Sequence, residues 1–217
     1  MTGLPFVLES PGQFLPGADY TPDWVVYLHG FRSSPASVKA QRVVQAFLQA
    51  GLLNRLWVPA LPASPVDAID MIRTEVRTRL HHHPDLRLAF VGSSLGGFYA
   101  TVLAEEVPSS RVVLINPAVT PHLDLQTQIG RQKVYFSEEE IEFVPEYLRA
   151  LEDMRVGRLT GMSRYFLMAA SGDEVLDFDQ MTRTYAQAHQ LRLSGSDHAM
   201  TEFDDFLPYL LLFLGVK

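Results

Sequence analysis

Three side chains whose types and order suit nucleophilic chemistry lie far apart in this chain: Ser94, Asp173 and His198. Ser94 is the centre of Gly92-Ser-Ser-Leu-Gly96, a G-x-S-x-G pattern that follows the apolar run Leu86–Val91 and opens a helical pattern. A strand entering a helix through such a segment must turn sharply, so small residues flank the serine and its hydroxyl is lifted clear of the sheet. There it can meet a base and an electrophilic carbonyl carbon. Only Ser94 has glycines two positions away on both sides, which makes Ser93 the spacer. Alone, the pattern also suits a packing turn between strand and helix. The nucleotide-binding alternatives fail on the letters. The second glycine of G-x-G-x-x-G would be Ser94, and no lysine follows Gly96 or Gly97 as a phosphate loop requires.

A serine nucleophile needs a base, an acid that orients the base, and donors for the oxyanion. Where such an elbow is catalytic, the chain order is serine, acid, histidine, each following a strand. Ser171-Gly-Asp-Glu-Val-Leu-Asp follows the apolar run Tyr165–Ala170, and Gly195-Ser-Asp-His follows Gln190–Leu193. A parallel sheet would bring Asp173 and His198 to the edge that carries Ser94. Asp177 and Asp124 are rival acids, with Asp177 also suited to cap the next helix. Asp197 adjoins the base, and its side chain should diverge from the imidazole. His29 is a second candidate base, but its place just before Gly30 at the end of a strand suits bracing the loop that offers the oxyanion donors. Those donors are expected to be the backbone N–H groups of Leu95 and Phe31. His81, His82 and His83 end a helix, where they suit its negative end better than a metal site.

The elements that must position these groups alternate along the chain. Trp24–Leu28, Arg55–Pro59, Leu86–Val91, Arg111–Ile115, Tyr165–Ala170 and Gln190–Leu193 read as strands. Helical spacing lies between them: Ala40, Val43, Val44, Phe47 and Leu48, with Ser34 as N-cap and Pro35 in the first position; then Ile69, Ile72, Val76 and Leu80; then Leu95–Val107. Further helices carry Phe178, Met181 and Tyr185, and lastly Phe203, Phe206, Leu207, Leu210 and Leu214. Strands that are apolar throughout and separated by helices mean an α/β fold, a mostly parallel sheet with helices on both faces, in one domain over residues 1–217. Residues 117–162 exceed an ordinary crossover and are expected to form a small cap. Within them, Ser137 should cap a helix carrying Glu138, Glu139 and Glu140 at its start and Ile141, Val144, Leu148 and Leu151 on its inner face.

Composition narrows the partners. A net charge of −7 disfavours nucleic acid and an anionic membrane. The absence of cysteine excludes disulfides, thiol catalysis and cysteine-ligated zinc. The first residues lack the basic and apolar regions of a secretory signal, and the apolar stretch Phe206–Val216 is too short to span a bilayer. A cytoplasmic location is the expectation.

Five blocks, Tyr27-Leu-His-Gly-Phe-Arg-Ser-Ser-Pro-Ala-Ser-Val-Lys-Ala, Gly92-Ser-Ser-Leu-Gly-Gly-Phe-Tyr-Ala-Thr, Ile115-Asn-Pro-Ala-Val, Gly172-Asp-Glu-Val-Leu-Asp and Ser196-Asp-His, resemble the YqiA-like esterases, a branch of the α/β-hydrolase superfamily. The resemblance spans Tyr27 to His198. It implies a compact α/β-hydrolase fold, Ser94 as nucleophile, Asp173 as acid and His198 as base, and hydrolysis of a small-molecule ester or thioester without cofactor or metal. Arg32 stands where that pattern has asparagine and is expected to reach solvent, contact with an anionic acyl or alcohol group being the alternative; residues 122–146 match the pattern poorly. An acyl thioesterase or acyltransferase with the same triad is an alternative, and a non-catalytic binding protein on the same fold is a remoter one.

Overall fold

A computed structural model describes residues 6–10, 21–135 and 137–217; the first five residues, on which the reading of the N-terminus partly rests, lie outside the described residues. The chain runs β1 (Phe6–Glu9), β2 (Trp24–Leu28), α1 (Val38–Gln49), β3 (Leu56–Trp57), α2 (Pro65–His82), β4 (Leu88–Ser93), α3 (Leu95–Glu106) and β5 (Arg111–Ile115). It continues through α4 (Pro121–Asp124), β6 (Gly130–Lys133), β7 (Glu140–Phe143), α5 (Pro145–Asp153), β8 (Tyr165–Ala170), α6 (Phe178–Thr184), β9 (His189–Leu193) and α7 (Phe203–Leu214).

Seven strands form one sheet in the order β1-β9-β8-β5-β4-β2-β3. All neighbours are parallel except β1, which pairs antiparallel with β9. The six parallel strands are those expected from the apolar runs. The edge strand β1 was not expected, because its four residues are exposed and leave no buried pattern to read. Side chains of β2 alternate between two cores. Val25 and Tyr27 pack with Ala40, Val43 and Phe47 of α1 and with Phe203, Phe206 and Leu210 of α7. Trp24, Val26 and Leu28 pack with Ile69 and Ile72 of α2, Phe98 and Leu103 of α3, and Met181 of α6. Burial on both faces explains why these strands read as unbroken apolar runs.

The register decides where the functional loops meet. Leu28 pairs with Gly92, Ser93 with Ile115, Ile115 with Met168, and Ala170 with Leu193. The five central strands therefore end together, and the loops after β2, β4, β5, β8 and β9 share one edge. Because β2 leads on to β3 at one side and β4 leads on to β5 at the other, the loops after β2 and β4 part to opposite sides, the arrangement that opens a crevice in α/β sheets.

Two local expectations are corrected. Helix α1 begins at Val38 with Ser37 at its N-cap, not at Pro35, and Leu48 at its end is exposed, its buried face being Ala40, Val43 and Phe47. The Ser34 side chain instead accepts from the Ala36 N–H, and its carbonyl accepts from the Ser37 N–H, so Ser34 and Pro35 belong to a turn. No helix starts at Ser137. Residues 130–143 form a hairpin in which Gly130 pairs with Phe143 and Lys133 with Glu140. Glu140-Ile-Glu-Phe has a period of two, with the glutamates exposed and Phe143 buried. Pro145 occupies the first turn of α5 and forces Val144 into an extended conformation (φ −107°, ψ 156°), so no helix can run through it. The spacing of Ile141, Val144, Leu148 and Leu151 bridged a strand and a helix. Ser137 Oγ instead accepts from the Glu139 N–H, and Glu138 pairs with Lys133 at 3.2 Å.

The far end of this segment is tied to α3 by a buried ion pair. Glu105 meets Arg164 at 2.6 Å, with both side chains 11% exposed, and also accepts from the Tyr165 hydroxyl and from the N–H and hydroxyl of Thr160. Burial opposes its ionisation, but the hydrogen bonds from Thr160 and Tyr165 and the Arg164 charge prevail and hold the carboxyl below its usual range. Removing the carboxylate leaves the guanidinium with Ser110 and the Tyr165 ring but without its counter-charge. Glu105→Ala should lower the unfolding free energy by about 3 kcal/mol, read from the urea midpoint.

Candidate active site

Ser94 sits at the end of β4 with φ 55° and ψ −123°, a conformation that non-glycine residues rarely adopt. The surroundings impose it. The Ser94 N–H donates to Ile115 O at 3.1 Å, and its carbonyl accepts from Gly97 and Ala118 N–H at 2.8 and 3.0 Å. The flanking glycines are steric necessities. A Cβ on Gly92 would overlap the backbone of Gly96, and a Cβ on Gly96 would overlap the Leu28 carbonyl of the neighbouring strand. Gly30 serves the same close approach from the other side, since a Cβ there would stand 3.0 Å from Ser94 Cβ.

The structure brings the three separated side chains together. Ser94 Oγ is 3.0 Å from His198 Nε2, and His198 Nδ1 is 2.8 Å from Asp173 Oδ2. The Asp173 side chain is fully buried, while that of His198 is 21% exposed. Asp173 Oδ1 accepts from the N–H groups of Val175 and Leu176, both at 2.8 Å, which leaves Oδ2 facing the imidazole. With a carboxylate as its partner, Nδ1 carries the proton and Nε2 presents a lone pair to the serine.

Asp177 and Asp197 are engaged elsewhere, whereas Asp124 stays near the site. Asp177 Oδ1 accepts from the Gln180 N–H and caps α6. Asp197 turns away from the imidazole of His198 to accept from the N–H and hydroxyl of Thr201. Asp124 lines a cavity at the site; burial and the Asp177 charge push its carboxyl up to about 6. His29 is buried, its Nδ1 donating to Gly30 O and its Nε2 accepting from the Leu61 N–H, which defines a neutral ring. Burial lowers its pKa accordingly. His29 thus ties the loop after β2 to the loop after β3. His82 ends α2 with Nδ1 bonded to Thr78 O. Among the described residues no cluster of three or more side chains suited to a metal ion occurs, and no helix is long and apolar enough to cross a membrane.

Phe31 follows β2, and Leu95 is the first residue of α3. Neither N–H donates to a protein acceptor among the described residues. Two cavities meet at Ser94 and His198, one of about 250 Å³ and one of about 370 Å³. Phe31, Tyr135 and Val175 stand on the walls of both.

Three contributions were not legible beforehand. Asn116, buried and at φ 41°, donates to the carbonyls of Asp197 and His198 while its Oδ1 accepts from Ala170 N–H. Glu174 Oε2 accepts from the His198 N–H at 3.0 Å. Lys39 Nζ donates to the carbonyls of His198 and Ala199. All three act on backbone atoms of the loop that carries His198, for which no motif exists; only the resemblance, whose blocks include Asn116, Glu174 and Lys39, had drawn attention to them, without a role.

Arg32 does not simply reach solvent. Its Nε donates to Lys133 O at 2.7 Å, its guanidinium lies over the Tyr135 ring at 4.6 Å, and its carbonyl accepts from the Tyr135 N–H at 2.8 Å. Its φ of 57° is a conformation asparagine also tolerates. Phe31 beside it packs edge-on against Phe143 at 5.0 Å. The hairpin is thus fastened to the loop after β2 at both strands.

The sheet order, the elbow at a strand-to-helix turn and the covering helices define an α/β-hydrolase fold. The fold is similar to that of a hydrolase of Agrobacterium vitis S4 (TM-score 0.65, 17% identity, 99% of this chain and 100% of that chain). It is also similar to a structure from work on two metagenome-derived lipolytic enzymes, LipS and LipT (0.64, 19%, 93% and 99%), and to Est1E of Butyrivibrio proteoclasticus, solved with ferulic acid bound (0.61, 12%, 96% and 92%). Residues 24–215 match the model of the uncharacterised protein family UPF0227, and the chain belongs to that YqiA-like family.

The Arg32 clasp has a measurable consequence. Arg32→Ala removes a charge-assisted hydrogen bond worth about 1.5 kcal/mol, so exchange of the Tyr135 amide should accelerate roughly tenfold.

Proposed function

We propose that this protein is a serine esterase that hydrolyses small-molecule carboxylic esters through an acyl-enzyme. The observation that carries the reading is the continuous line Ser94 Oγ to His198 Nε2 to Asp173, at 3.0 and 2.8 Å, on a strained elbow open to two cavities. Ser94 Oγ attacks the ester carbonyl carbon while His198 Nε2 takes the hydroxyl proton. The carbonyl oxygen becomes an oxyanion facing the N–H groups of Phe31 and Leu95, donors whose individual loss costs on the order of 3 kcal/mol in comparable sites. Asp173 keeps the imidazolium oriented. The proton on Nε2 passes to the departing alkoxide, the ester C–O bond breaks, and an acyl-Ser94 remains. Water then gives a proton to His198 as its oxygen attacks the acyl carbon, and the proton returns to Ser94 as the acid leaves.

The two cavities suit the two halves of an ester, with Phe31, Tyr135 and Val175 flanking the scissile bond. Residues 117–162 act as the cap of this single catalytic unit, supplying Ala118, Pro121, Leu125 and Tyr135 to one wall. Of the basic groups on the cavity walls, Arg32 clasps the hairpin and Lys39 holds backbone carbonyls, so neither is arranged for the phosphates of a thiol carrier.

Ser94→Ala should lower turnover of p-nitrophenyl butyrate by roughly four to six orders of magnitude with the fold intact by circular dichroism. Near-native turnover in that variant overturns the reading. In the same assay Asp173→Asn should lose roughly four orders of magnitude, because the wrong imidazole tautomer is then held. Asp177→Asn should stay within about threefold of the parent, its loss being a helix cap and not a catalytic contact.

A further inference from the structure

Lys39 takes no part in the steps above, yet its ammonium lies directly behind the base. Nζ donates to Ala199 O at 2.8 Å and to His198 O at 3.3 Å. Helix stability does not account for it there. Lys39 is the second residue of α1, where the helix dipole is positive and a cation is disfavoured. The side chain is half-buried, which adds a desolvation cost. Both penalties are offset only by what lies across from it in the base loop and its neighbours.

That loop needs an outside anchor. Ser196 and Met200, two residues to either side of His198, both hold positive φ, 60° and 51°. Such a backbone persists only where surrounding contacts over-determine it. Asn116 holds the Asp197 and His198 carbonyls from β5, and Glu174 holds the His198 N–H from the loop after β8. Among the described residues, the Ala199 carbonyl is held by Lys39.

We propose that Lys39 is a positioning residue for the base: by anchoring the His198 and Ala199 carbonyls, its ammonium keeps the imidazole within reach of Ser94. The inference rests on the esterase reading, which makes His198 the base. The charge matters as well as the donor, because charge-assisted hydrogen bonds are roughly twice as strong as neutral ones. The charged groups facing Lys39 are the carboxylates of Asp173 and Asp197, with Glu174 on the wall of the same cavity. Desolvation lowers the Lys39 pKa to about 8, with Asp173 and Asp197 acting in the opposite direction. The full charge is therefore present below that pH and is lost as pH rises through it.

The test is steady-state kinetics on p-nitrophenyl butyrate for the parent, Lys39→Met and Lys39→Arg, with melting temperatures alongside. Lys39→Met should lose roughly tenfold or more in kcat with KM changed less than about twofold, since a displaced base slows chemistry without altering ground-state binding. Lys39→Arg should recover kcat to within about threefold of the parent, because it keeps the charge and the donors. In the parent, kcat should fall as pH rises through about 8. In Lys39→Arg that fall should be absent, because guanidinium stays charged. A folded Lys39→Met variant with native kcat overturns the proposal, as does a folded Lys39→Arg variant as impaired as Lys39→Met. An alkaline fall identical in parent and Lys39→Arg also overturns it, and that comparison decides the matter if Lys39→Met does not fold. Failure of the esterase reading shows earlier and separately, as parent turnover that does not depend on Ser94.

Discussion

Everything at the site depends on how closely three pieces of backbone approach one another at the end of β4. The turn at Ser94, the last carbonyl of β2 at Leu28 and the Gly30 segment lie so near that a Cβ at position 92 or 96 would overlap backbone, and one at position 30 would crowd the Ser94 Cβ at 3.0 Å. That contact holds Ser94 at φ 55°, and hydrogen bonds to Ile115, Gly97 and Ala118 lock it there. Strain of this kind costs of order 1–3 kcal/mol and survives only because the parallel sheet beneath is buried on both faces. The same contact brings the loop after β2, with its Phe31 N–H, beside the elbow.

A second layer of order acts on backbone instead of side chains. The imidazole of His198 is aimed by Asp173, but the loop beneath it is held from three separate elements by Asn116, Glu174 and Lys39. The hairpin performs a comparable service for the loop after β2, through Arg32 on one strand and Phe143 on the other. A site assembled from five loops is rigid only if the loops are cross-tied, and polar contacts to carbonyls do this where hydrophobic packing is thin.

Legibility in the sequence followed burial. Strands β2, β4, β5, β8 and β9 were readable because burial on both faces leaves continuous apolar runs, and the elbow glycines were readable because sterics permit nothing else. From these alone, Ser94, Asp173 and His198 could be placed on one edge. β1 was invisible because it is exposed at the sheet margin, paired only with β9. The hairpin was misread as helix because its inward Ile141 and Phe143 are followed by Val144 and α5, and a strand joined to a helix can imitate a longer helical stripe. Pro145 was the available correction, since a residue preceding proline resists helical geometry. Arg32 escaped because its partners, the Lys133 carbonyl and the Tyr135 ring, lie a hundred residues away in a segment whose form was not known.

The central claim is that Ser94, and no neighbouring hydroxyl, is the nucleophile. Reaction with a fluorophosphonate followed by peptide mapping tests it most directly, because the reagent phosphonylates only a serine whose proton a base removes. One adduct per chain is expected, located on Ser94. An unlabelled chain, or an adduct on the adjacent Ser93, would contradict the assignment.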